Sequence, residues 1–167
     1  GSPGNFGFLG TTLLGTDKER LPGVMGVSIA LQPGFDASDA DNSVVILGDD
    51  SGNIYISDDA GETWGAAQAV AAVGTGNVYV AFDADFANNG HIYFATSASA
   101  VGEAALNGNT FASGSPTALL DDSDDPATAA SFSGVRVSPD NALYAIGGDA
   151  ATSIPGTLQV AAGATLD

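Results

Sequence analysis

Two groups of residues in this 167-residue chain have the types and spacing to do chemistry. The octet SDDAGETW, residues 57–64, gathers three acids, a glycine, a threonine and the sole tryptophan. Such a run either holds a metal or substrate, or ties a turn between two strands. The second group is three acid-rich stretches: DASDADN (36–42), GDDSGN (48–53) and LDDSDDP (120–126). Hard oxygen ligands in loops are what calcium takes, and a bound cation would relieve the repulsion of crowded carboxylates. Asp121, Asp122, Asp124 and Asp125 form the first candidate cation set, and Asp36, Asp39 and Asp41 the second. Neither fits the EF-hand loop, whose glycine and distal glutamate are missing. His91, the lone histidine, follows a turn at a strand start and reads as a surface residue. A Ser-His-Asp set would need it, and the chain has no nucleophile elbow, GxGxxG or P-loop.

The charge balance narrows the partners. Twenty acids face three bases, Lys18, Arg20 and Arg136, for a net charge of -17. So few cations cannot build a nucleic-acid surface or grip anionic lipid. Such a surface suits solubility, divalent cations or high salt. The acids are nearly all Asp, which favours turns, whereas Glu favours helices. With no cysteine, disulfides, thiol catalysis and Cys-based metal sites are excluded. No apolar run reaches the length that spans a bilayer as a helix. Gly1-Ser2 reads as a cloning remnant, and residues 1–22 as a lead segment.

The elements that must position these residues are strands. Short apolar runs at 24–31, 44–47, 54–57, 78–82, 92–96, 135–138, 143–146 and 158–161 are mostly bounded by Gly, Asn, Asp, Ser or Pro. Only 65–73 and 98–106 look helical, and both are too short to stand alone. VSIALQPGF (27–35) and VYVAFDADF (78–86) share one shape, and GVRVSPD (134–140) matches it in part, aligning Pro33, Ala84 and Pro139. A second strand follows each copy: SVVILG, HIYFAT and ALYAIG. A third follows in GNIYIS and GTLQVA, with GEAALNGNTF the weaker match in the middle copy. A period of about 50 residues with three or four strands is that of a propeller blade. The expectation is an all-β fold of blade-like antiparallel sheets, a partial or assembled β-propeller, with a β-sandwich as the alternative. Its divisions fall at 23–64, 65–118 and 119–167.

The octet resembles the Asp-box, or BNR, repeat: Ser57-x-Asp59-x-Gly61-x-Thr63-Trp64 matches all five marked positions. GNIYIS resembles the strand that leads into the box, and VAFDADFANNGHIYFAT the first half of such a blade. The resemblance implies a structural turn on the blade's periphery. Asp59 accepts from N–H groups across the turn and Ser57 helps from the strand end. Gly61 takes positive φ, Thr63 restarts the strand, and Trp64 covers the hairpin. Asp-box propellers include sialidases, but Arg20 and Arg136 cannot make the arginine triad such an enzyme needs.

Three blades do not close a ring, so association with another copy or with the remainder of a larger chain is expected. The reading is a non-enzymatic secreted or cell-surface module, structural or recognising, with calcium as a stabilising ion. Low Lys, high Asp and abundant Gly, Ala, Ser and Thr resemble surface-layer proteins. The alternative is a carbohydrate-active or lectin-like propeller using Tyr55, Tyr79, Tyr93 and Tyr144.

Overall fold

The structure, a computed structural model, describes residues 21, 23–70, 74–98, 100–119, 131–148 and 155–161, with 147–148 and 155–161 described by backbone alone. Among the described residues, twelve strands account for nearly all of the regular structure. β1 (Gly26–Leu31), β2 (Val45–Asp49), β3 (Asn53–Ser57) and β4 (Gln68–Ala69) form one antiparallel meander in that order. β5 (Val78–Phe82), β6 (His91–Thr96), β7 (Val101–Asn107) and β8 (Thr110–Phe111) form the second, with β9 (Thr117–Ala118) also on β7. β10 (Ser131–Val137), β11 (Ala142–Gly148) and β12 (Pro155–Ala161) form the third. Residues 101–106 of the 98–106 stretch, which looked helical, belong to β7. Val101 and Ala104, an odd number of positions apart, face two different cores. Part of 65–73 is the short strand β4, and 71–73 lies outside the described residues.

The three sheets stack face to face. Ala30, Ile46, Ile54 and Ile56 of the first sheet pack on Val78, Val80, Phe82, Ile92 and Phe94 of the second. The second sheet's other face, with Tyr79, Ala81, Tyr93 and Ala95, packs on Phe132, Val135, Leu143 and Ala145 of the third. The middle sheet is therefore covered on both faces, which is why β6 reads as a continuous apolar run rather than an alternation. At the first joint the sheets approach closely. A Cβ on Gly48 would lie 2.1 Å from the Val78 carbonyl oxygen. Ser28 Oγ donates to that oxygen (2.9 Å) and accepts from the Val80 N–H (3.0 Å). The exposed edge of β5 is satisfied by the neighbouring sheet instead of by another strand.

The first hairpin of each sheet is built the same way. The residue after the first strand donates its N–H to the carbonyl just before the second strand's pairing begins. These bonds are Gln32 to Val44 (3.1 Å), Asp83 to His91 (3.1 Å) and Ser138 to Ala142 (2.9 Å). Pairing then starts at Leu31–Val45, Phe82–Ile92 and Val137–Leu143. A bulge recurs at one place, between Gly26 and Ser28 and between Phe132 and Gly134. This register corrects the sequence alignment in one copy. Val45, not Val44, stands where Ile92 and Leu143 stand. The connection from Gln32 to Val44 holds a 3-10 turn (Ala40–Asn42), and a one-residue slip there reverses every side chain of β2.

Candidate functional site

The octet joins β3 to β4, and its acid is spent on the turn itself. Asp59 accepts from the Thr63 N–H (2.8 and 2.9 Å) and from the Thr63 hydroxyl (2.6 Å). Ser57, fully buried, donates to Asp59 Oδ1 (2.7 Å) and accepts from the Gly61 N–H (2.7 Å). Gly61 has φ +85°, as expected, and Ala60 also lies in the left-handed region at +58°. The Ala60 N–H is held by the Ser43 carbonyl (2.9 Å), which offsets the strain of a Cβ there. Sequence reasoning missed Ser43, whose hydroxyl also donates to the Asp58 carbonyl (2.8 Å). Thr63 does not restart a strand. Its N–H and hydroxyl both turn back to Asp59, and pairing resumes only at Gln68. Burial disfavours the Asp59 anion, but the bonds from Thr63, Ser57 and the Glu62 N–H outweigh it and hold the carboxyl below its ordinary range.

The hairpin also meets the second sheet. A Cβ on Gly65 would sit 2.2 Å from the Asn109 carbonyl oxygen, and the Phe111 N–H donates to Gln68 Oε1 (3.0 Å). The chain just after the octet thus braces the outer strands of two neighbouring sheets.

A second acid site was not singled out from the sequence. Asp83 is buried at the joint between the second and third sheets. It accepts from the Asp85 N–H (2.7 Å), the Tyr93 hydroxyl (2.9 Å) and Asn141 Nδ2 (3.3 Å). Asn141, at φ +69°, returns Oδ1 to the Ala84 N–H (3.0 Å). Burial alone would raise the Asp83 pKa, yet hydrogen bonds from Asp85, Tyr93, Asn89 and Asn141 leave it lowered. The Tyr93 phenol is raised, by burial first and then by the Asp83 carboxylate. The signal that could have found Asp83 is its repeat position: Gln32, Asp83 and Ser138 are the same polar residue of three hairpins.

The acid-rich loops behave similarly where they are described. Asp36 accepts from the Ser38 hydroxyl (2.7 Å) and N–H (2.9 Å), which hold it below its ordinary pKa. Asp39 caps the 3-10 turn through the Asp41 N–H (3.0 Å) and takes Asn42 Nδ2 (2.9 Å). In the 48–53 stretch, buried Asp49 accepts from the Ser51 and Asn53 N–H groups and from Asn53 Nδ2. Among the described residues no three His, Asp or Glu side chains are grouped to hold a metal ion. Asp121, Asp122, Asp124 and Asp125, with Lys18 and Arg20, lie outside the described residues.

The remaining candidates are dispersed. His91 Nδ1 is 3.8 Å from Glu103 Oε2, with both side chains about a third exposed. Arg136 is exposed and donates to the adjacent Val135 carbonyl (3.0 Å). Tyr93 is buried, and Tyr55, Tyr79 and Tyr144 are half-buried. Tyr79 packs in the same joint as Tyr93, while Tyr55 lies opposite Leu47 on the first sheet and Tyr144 opposite Arg136 on the third. Neither the family models nor the curated proteins compared with this chain match it.

Proposed function

We propose that this chain is a non-enzymatic structural or recognition module of a secreted or cell-surface protein, built as a partial β-propeller of the Asp-box kind. One observation carries the reading: carboxylates serve loops. Asp36, Asp39, Asp49, Asp59 and Asp83 each accept from groups within a few residues of themselves. Acids used this way fold hairpins rather than converge on a substrate. The stack of sheets supplies rigid surface, and the protein it joins is another copy or the rest of a larger chain. Calcium stabilises the acidic stretch that holds Asp121, Asp122, Asp124 and Asp125, the first candidate set; Asp36, Asp39 and Asp41, the second, are not grouped to hold an ion.

The test is thermal melting in millimolar calcium, in sodium chloride of equal ionic strength, and with chelator. A ligand that binds only the folded state raises its stability by mass action. Calcium should therefore raise Tm above the sodium control. Combined Asn substitution of Asp121, Asp122, Asp124 and Asp125 should remove most of that rise. Equal melting in all three solutions removes calcium from the proposal. Specific retention on a glycan array would replace the structural role with a lectin-like one.

A further inference from the structure

The two joints of the stack obey one rule, and the third sheet breaks it. In each joint one sheet offers the face that holds its first-strand residue one place before the last. In the first sheet these positions pair as Ala30–Ile46 and Ser28–Gly48, and in the second as Ala81–Tyr93 and Tyr79–Ala95. Each face carries small residues where the next sheet's first strands approach. Gly48 leaves no room for a Cβ against Val78, and Ala95 is fully buried against the third sheet. The equivalent pairs in the third sheet are Arg136–Tyr144 and Gly134–Ile146. A guanidinium stands in place of Ala30 and Ala81, and an isoleucine in place of Gly48 and Ala95. Both are exposed, Ile146 by 44%.

We infer that the third sheet ends the stack, and that Arg136 and Ile146 keep its outer face from receiving another sheet. Ile146 holds an approaching strand away from the distance that Gly48 and Ala95 allow. Arg136 would be buried without a carboxylate partner against an apolar face, which is costly. The opposite end differs. Ile29, Leu31, Val45 and Leu47 of the first sheet keep the apolar character of their equivalents Val80, Phe82, Ile92 and Phe94, which are covered in the first joint. Terminal members of stacked repeats commonly carry such altered outer faces. Another copy therefore does not add head to tail at the third sheet. The inference limits the proposed partial propeller, whose third sheet then does not receive a further blade.

Light scattering after size exclusion tests it, over a range of concentrations. The wild type should not associate through this face. Arg136→Ala/Ile146→Ala restores the small residues of the second sheet, and its mass should climb with concentration while circular dichroism stays native. The chain has no cysteine, so a mixture of Ile146→Cys with Val27→Cys, Val27 being the first-sheet equivalent of Val78, probes head-to-tail docking at this face. It should give no mixed disulfide between the two variants on oxidation. A mixed disulfide would mean that the face is a joint and would overturn the inference. A natively folded double variant whose mass matches the wild type at every concentration would overturn it too. Should the double variant unfold, the cysteine probe alone decides.

Discussion

At the scale of single residues, the acids act as folding groups. Asp59→Ala should cost about 1–3 kcal/mol, because the Thr63 N–H and the buried Ser57 hydroxyl lose their acceptor. Chemical denaturation reads this directly, and an unchanged midpoint would return the octet to the list of ligand sites. Asp59 and Asp83 titrate lower in the folded chain than in the unfolded one. Their contribution is complete above the ordinary carboxyl value of about pH 4 and is lost as pH falls below it. Tyr93 has the opposite sign. Its folded pKa is raised, so its contribution is complete below about pH 10 and declines as pH rises beyond that. Tyr93→Phe should flatten the alkaline limb of a Tm-against-pH profile and leave an Asp83 carboxylate short of one donor. An unchanged limb would mean that Tyr93 does not carry it.

At the scale of elements, close approach of sheets governs tolerance. Gly48 lies in a central strand with ordinary extended backbone, so its substitution tests packing rather than backbone freedom. Gly48→Ala drives a methyl into the Val78 carbonyl and should cost at least about 1–3 kcal/mol, the usual range for overpacking. Phe94→Ala empties a fully buried position between the first two sheets and should cost about 3–5 kcal/mol. Equilibrium unfolding of each variant checks both values. A near-neutral Gly48→Ala would show that the first joint can open without penalty. The shapes of these strands were legible from apolar runs and turn residues. The register of β2 was not, because the long connection before it permits two alignments that differ by one residue. The choice between them is made by which face finds the second sheet.

At the scale of the whole molecule, a net charge of -17 opposes compactness. The Debye length falls from about 30 Å at 0.01 M salt to about 8 Å at 0.15 M. Melting temperature should rise across that interval with sodium chloride alone. A flat profile would show that the acids are too dispersed for their repulsion to matter. Stacking also explains why the middle sheet hides both faces. Met25, Leu31 and Ile146, the exposed large apolar residues among those described, all lie in or beside the end sheets.

Sequence alone was enough to establish an all-β chain with short antiparallel strands and to locate the octet turn, because those depend on local pattern: apolar runs, turn residues and one acid reaching a few residues along. It was enough as well to exclude thiol chemistry, since the chain has no cysteine. Tertiary structure decided what local pattern cannot carry. Asp83 matters because Asn141, 58 residues away, arrives beside it. Gly48 matters because Val78 does. Arg136 and Ile146 mark an end only once three sheets are laid in register and the same two positions are compared across them.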